Sequence, residues 1–270
     1  MSYTIKIKIV MKKFSSLLVV LLLMLVSFTA GVEYQRGDVD QDGQVGVADV
    51  TCLIDYLLTG TWPDEPVTPP DEHEWVDLGL PSGTLWATCN VGANSPEEYG
   101  DYFAWGETSP KDYYDWITYE WCNGSTNTMT KYCTQSDYGY NGFTDGKTEL
   151  DPEDDAAYVN WGASWRMPTK EQHQELVDNC TWTWTQRNGV DGQLGTGPNG
   201  NTIFLPAAGR RWLQSLFGAG LSGYFWSRSL YLDESDYAFN LCSNSDGVYW
   251  FRTQSRGYGR SIRAVRVSQN

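Results

Sequence analysis

Beyond residue 74, apolar residues come in short runs broken by turns, and that spacing most restricts what the chain can fold into. Glu74–Leu78, Thr84–Thr88, Ile203–Pro206, Val248–Arg252 and Ser261–Val267 read as strands. Pro81-Ser-Gly83, Asn123-Gly124, Pro198-Asn-Gly200 and Asp246-Gly247 supply turns between them. One segment has helical character. Thr169 and Gln172 make a capping-box pair, and Leu176, Val177 and Cys180 share a face with His173, which therefore packs rather than reacts. Twelve of the thirteen Trp fall in 75–270, a stretch of about 195 residues, able to bury roughly 70% of its unfolded surface. The expectation is an α+β, strand-rich domain with one or two helices.

The segment before this body divides into three. Lys12 and Lys13 precede an apolar run from Leu17 to Val26, followed by small residues at Ser27, Thr29, Ala30 and Gly31. Such a run is shorter than the roughly twenty residues a membrane span needs. Residues 1–31 therefore read as a secretory signal, with Met11 as a candidate start and cleavage between Ala30 and Val32. The expected location is extracytoplasmic: secreted or at the cell surface, without membrane insertion. Residues 61–74 form a Pro- and acid-rich linker, in which Trp62-Pro-Asp-Glu-Pro-Val-Thr-Pro-Pro70 favours extended backbone. Between Gly31 and Glu74 stand eleven acids and one Arg, within a chain of net charge −15. That balance excludes phosphate-reading basic surfaces, so no nucleic acid is expected as partner.

Between signal and linker, Asp38-Val-Asp-Gln-Asp-Gly-Gln-Val-Gly-Val-Ala-Asp49 has calcium-loop spacing. Asp38, Asp40 and Asp42 can turn three carboxylates inward, Gly43 permits the sharp turn, Gln44 offers its carbonyl, and Asp49 closes the loop. The expected cofactor is Ca²⁺. With Val50, Leu53, Ile54, Leu57 and Leu58 at helical spacing and Gly60 as a cap, residues 32–60 make a loop-helix module. This segment resembles a single type I dockerin repeat. The resemblance implies a water at Gly46 and a cohesin-like partner read through Val47 and Ala48, and it links the chain to polysaccharide degradation.

Within 75–270, Trp75-Val-Asp-Leu-Gly-Leu-Pro-Ser-Gly-Thr-Leu-Trp-Ala-Thr-Cys-Asn-Val-Gly-Ala93 and Tyr99-Gly-Asp-Tyr-Phe-Ala-Trp-Gly-Glu107 open an ordered series. Asn160-Trp-Gly-Ala-Ser-Trp-Arg-Met-Pro-Thr169, Phe204-Leu-Pro-Ala-Ala-Gly209, Gly223-Tyr-Phe-Trp-Ser227 and Ser261-Ile-Arg-Ala-Val-Arg266 complete it. The series resembles the Fibrobacter succinogenes major paralogous domain family, found in secreted and surface proteins of Bacteroidota. Through Arg166-Met-Pro-Thr169 and the Arg-rich end it is also similar to the C-type-lectin-like superfamily. The fold this implies is C-type-lectin-like.

Chemistry is a separate question from fold. The Glu-Pro-Asn, Gln-Pro-Asp and Trp-Asn-Asp signatures of calcium-dependent lectins are absent from the sequence, and Gly197-Pro-Asn199 lacks the carboxylate. Only His73 and His173 could serve a nucleophilic triad. Glu149-Leu-Asp-Pro-Glu-Asp-Asp155, with Asp145, could hold a glycosidase pair, but reads better as a solvated loop or a helix N-terminus. A non-catalytic role is therefore expected, with binding of a glycan or surface partner. Tyr113-Tyr-Asp-Trp116, Trp182-Thr-Trp184 and Tyr249-Trp-Phe251 offer aromatic faces, making Trp116, Trp182, Trp184 and Trp250 the candidate ligand residues. The alternatives are a glycan-active extracellular hydrolase or a purely structural surface protein. Disulfides are permitted outside the cell; Cys122 with Cys133 is the favoured pair and Cys89 with Cys180 a second, the connectivity staying open.

Overall fold

The computed structural model of the protein describes Val50, Leu53 and residues 73–266. The chain divides into two units, Met1–Asp71 and Glu72–Asn270. The expected calcium ligands Asp38, Asp40, Asp42, Gln44 and Asp49, and the docking pair Val47 and Ala48, lie outside the described residues, as do the signal and most of the linker.

The body is strand-rich, with two α-helices among the described residues. A four-stranded antiparallel sheet joins its two ends. β1 (Trp75–Asp77) pairs with β2 (Leu85–Ala87), which pairs with β12 (Val265–Arg266), which pairs with β3 (Trp165–Arg166). A second sheet is ordered β11 (Gly247–Ser255), β10 (Tyr237–Asn244), β9 (Ser222–Leu230). A third is β4 (Thr181–Arg187), β5 (Val190–Thr196), β6 (Thr202–Pro206), and β7 (Arg210–Trp212) with β8 (Ser215–Phe217) forms a hairpin. The β4–β5 turn is Asn188-Gly189, with both residues at positive φ, as the twist of a tight hairpin demands. The expected closing strand 261–267 shrinks to Val265–Arg266, because the residues before it bury arginines.

Both helices begin at side-chain caps. α1 (Ala156–Trp161) starts at Asp155, whose carboxylate accepts from Ala157 and Tyr158 and, across the chain, from the Met167 N–H. α2 (Lys170–Asn179) has the complete capping box of Thr169 and Gln172. Its inner face buries His173 and Leu176. His173 stacks on Trp86 at 5.9 Å, and neither ring nitrogen has a hydrogen-bond partner. No helix among the described residues is long and apolar enough to cross a membrane.

Tryptophan dominates the interior. Trp86, Trp105, Trp165 and Trp226 are fully buried, each removing about 150–250 Å² from water, or about 4–6 kcal/mol before conformational entropy is subtracted. Two of them tie distant segments: Trp105 Nε1 donates to the Ser227 carbonyl (2.8 Å) and Trp226 Nε1 to that of Phe103 (3.0 Å). Three arginines near the end of the body are also buried: Arg256, Arg260 and Arg263. Arg256 donates to the Tyr119 hydroxyl and to the carbonyls of Tyr132, Ser235 and Lys131. Arg263 bonds Asn90 and the Thr88 carbonyl. Arg260 reaches Asn240 and lies 4.7 Å from the ring centres of both Tyr224 and Trp226. Burial lowers the pKa of Arg260 to about 9 and of Arg263 to about 10.

The expected disulfides are not formed. Cys122 Sγ donates to the Trp116 carbonyl, Cys133 Sγ to that of Gln135, and Cys89 Sγ to that of Ala93. Each thiol is directed at its own local acceptor, and Cys180 is likewise unbridged.

Candidate binding cavity

The segment Tyr99–Trp121 carries no regular strand or helix; it is held by glycine turns and by the β7–β8 hairpin. At Gly100 φ is +69° and a Cβ would come within 2.4 Å of the Val91 carbonyl, so only glycine fits. The turn leaves Asp101 exposed while Tyr102 goes inside. The Tyr102 hydroxyl donates to the Ala208 carbonyl (2.5 Å), and its own carbonyl accepts from the Tyr114 hydroxyl. Burial pushes both phenols up to about 12, so they remain donors at any physiological pH.

The hairpin is anchored to this segment by paired backbone bonds between Tyr114 and Leu213 (3.0 and 2.8 Å). Its other side is fastened by Arg211 and Gly259, which exchange bonds of 2.7 and 3.0 Å. Gly209 enters the hairpin at φ +69°, where a Cβ would meet the Phe217 carbonyl at 2.4 Å. Leu213, at the tip, sits at φ 53°, a conformation costly for a side chain of that size.

Strand alternation gives β7 two different faces. On one, Arg210 and Trp212 lie over Tyr258, at 5.3 and 4.4 Å between guanidinium or ring centre and ring. Trp116 and Trp212 both cover Gly257, each 3.7 Å from where its Cβ would stand. On the other, Arg211 lies over the Tyr102 ring at 5.1 Å and faces a cavity of about 330 Å³. Asp101, Lys111, Asp112, Tyr114 and Arg211 wall this cavity above Tyr102. Lys111 is already satisfied, with Nζ bonded to Glu107 (2.7 and 2.8 Å) and to the Thr118 carbonyl (2.9 Å). The side chains of Asp101, Asp112 and Arg211 have no hydrogen bond or ion pair with any described residue. Leu213, Leu216, Phe217 and Ile117 are exposed on the hairpin and the facing loop.

The four expected ligand residues fall in separate surroundings. Trp116 packs with Tyr119 beside the cavity segment. Trp182 and Trp184 alternate on one face of β4. Trp182 closes over Gly195 and the Leu176–Ile203–Leu205 cluster, with Nε1 3.3 Å from the Val177 carbonyl. Trp184 stands opposite Gln193, which donates to the Asn244 carbonyl of β10, so this face looks towards the neighbouring sheet. Trp250 is half-buried on β11.

The acidic stretch expected as a solvated loop or a helix N-terminus proves to be the latter, and its carboxylates are engaged. Glu149 pairs with Arg228, Asp151 with Lys147 and Lys131, and Asp154 with Lys131 and Tyr132. Asp145 accepts the N–H groups of Tyr132, Cys133 and Lys147. Burial pushes Asp155 up to about 6, against the pull of the N–H donors it caps. His73 stacks on Trp161 at 4.0 Å and His173 lies in the core; neither lines the cavity. Among the described residues, no group of three or more His, Cys, Asp or Glu is placed to hold a metal ion.

Asp101, Asp112 and Arg211 were not legible as a site from spacing alone. The usable signal was Arg210-Arg211, where two basic residues adjoin in an otherwise acid-dominated body. Compared with known proteins, no family model, curated protein or solved structure matches the chain.

Proposed function

We propose that the protein is an exported, non-catalytic recognition protein whose 75–270 body binds a saccharide in the Asp101–Asp112–Arg211 cavity. One observation carries the reading: three polar side chains without partners among the described residues line one small cavity whose floor is fixed by buried tyrosines. Ligand sites run from about 300 to 1,000 Å³, so a cavity of 330 Å³ suits a terminal sugar residue better than a long chain. Carboxylates accept sugar hydroxyls and the guanidinium donates to ring or hydroxyl oxygens. In this proposal the fold is C-type-lectin-like, of the Fibrobacter succinogenes major paralogous type. The Asp38–Asp49 loop binds Ca²⁺ and tethers the body, through Val47 and Ala48, to a cohesin-like partner in polysaccharide breakdown or adhesion.

The test is a glycan array with the full exported chain, in calcium and in chelator, beside Asp101→Asn and Asp112→Asn. Binding that survives chelation and is lost in both variants supports the reading. Binding unaffected by either variant places recognition elsewhere.

A second reading, hydrolysis of a glycosidic bond, is favoured by the presence of two carboxylates, Asp101 and Asp112, in one cavity. Release of reducing ends from an array-positive glycan, abolished in either variant, would establish it.

A further inference from the structure

We infer that the cavity selects a saccharide bearing a carboxylate, a uronic-acid-type residue, and that Arg211 makes the selection. This rests on the saccharide reading above and goes further by naming the ligand's charged group.

Residues 73–266 hold 24 Asp and Glu against 14 Lys and Arg. In such an excess of acid, surface cations find carboxylates: Lys111 has Glu107, Lys131 has Asp154, Lys147 has Asp151, Lys170 has Glu171, Arg187 has Glu97 and Arg228 has Glu149. Arg166, Arg210 and Arg211 depart from this pattern, and of the three only Arg211 lines the cavity. Its guanidinium makes no hydrogen bond or ion pair with a described residue although Asp101 and Asp112 line the same cavity. Its guanidinium lies over the Tyr102 ring, 5.1 Å from the ring centre.

Arg211 is also held in place. Its backbone is bonded to Gly259 on one side and paired with Leu216 of β8 on the other. The ring beneath its guanidinium is fixed by the Tyr102 hydroxyl and carbonyl, both of which are bonded. A guanidinium held over an aromatic ring does not use its N–H donors there, and they remain able to bind a carboxylate through two parallel bonds. The cost of ordering the arginine is met by the fold before any ligand arrives.

The neighbouring carboxylates set the rest of the ligand's chemistry. Asp101 and Asp112 accept protons and repel a second negative charge. The group that suits all three is one monoanion on a scaffold of hydroxyl donors. The body's overall acidity acts weakly here, since beyond about 8 Å at physiological ionic strength it is screened, and the local guanidinium decides.

The test uses the full chain and calorimetry with galacturonate, a monoanionic single sugar, neutral galactose and a short Glu-rich peptide, repeated with Arg211→Gln and Arg211→Lys. A charge-assisted bidentate pair predicts galacturonate bound about tenfold or more tighter than the neutral sugar. In Arg211→Gln that ratio should fall to about one, and Arg211→Lys should restore only part of it, with each variant's fold checked by thermal melting. Equal affinity for both sugars in the wild type overturns the inference and leaves the saccharide reading standing. Binding of neither sugar overturns both. Tighter binding of the peptide than of galacturonate overturns the inference in favour of a protein partner.

Discussion

Replacing His173 with leucine isolates the one imidazole sealed inside the body. His173 is fully buried on α2 against Trp86, with both ring nitrogens lacking partners. Burial penalises its charged form and lowers its pKa to about 3, whereas in the unfolded chain it titrates near about 6.5. The sign follows from linkage. Above pH 6.5 both states hold a neutral ring and the group contributes full stability; as pH falls, the unfolded state takes a proton that the folded state refuses. The loss runs at about 1.4 kcal/mol per pH unit, reaching about 3 kcal/mol at pH 4. Leucine has similar bulk and removes two orphaned polar atoms, so His173→Leu should match the wild type within about 1 kcal/mol at pH 7.5. Urea unfolding of both proteins at pH 7.5, 6, 5 and 4 gives the difference directly. Asp155, raised to about 6, works in the opposite sense, gaining as pH falls through that value. It is common to both proteins and cancels. A variant advantage that grows to about 3 kcal/mol at pH 4 is the expected result; a difference constant within about 0.5 kcal/mol across the range refutes the sealed-imidazole argument.

Thr169→Ala removes one half of the α2 capping box and should cost about 1 kcal/mol in urea unfolding at neutral pH. Arg256→Met leaves the carbonyls of Tyr132, Ser235 and Lys131 without their buried donor. At about 1 kcal/mol or more each, the loss should exceed about 3 kcal/mol and show as a melting temperature lower by several degrees. If the proposed loop binds calcium, the wild type should take it up at about 10⁻⁴ to 10⁻³ M in calorimetry, and Asp42→Ala and Asp49→Ala should each abolish that uptake; uptake unchanged by either removes the loop from the calcium account.

What the sequence disclosed was what local chemistry determines. The α2 start was legible because Thr169 and Gln172 satisfy each other within one turn, and β1, β2, β6 and β11 because their runs are short, apolar and flanked by turn residues. Other elements depend on partners distant in the chain. β9 and β10 include polar and glycine positions that are buried only because each pairs with a neighbour. The β4–β5 hairpin carried a clear local signal in Asn188-Gly189 between alternating residues. The cavity was the least accessible part. Asp101 and Arg211 are separated by more than a hundred residues, and nothing in either neighbourhood says that a backbone bridge at Tyr114 and Leu213 will bring them together. Buried arginines were hidden for a related reason: a sequence shows charge, and only the fold shows which carbonyls receive it.

The closing sheet has a mechanical consequence. β1 and β12 both flank β2, and the Arg266 guanidinium lies 5.6 Å from the ring centre of Trp75. The polypeptide thus enters and leaves the body at one address, like the two leads of a plug. Splicing such a body into a surface loop of another protein would demand little separation between the splice points. A rearranged gene, stitched across those leads and opened at an exposed turn such as Asn141-Gly142, should still yield the native arrangement.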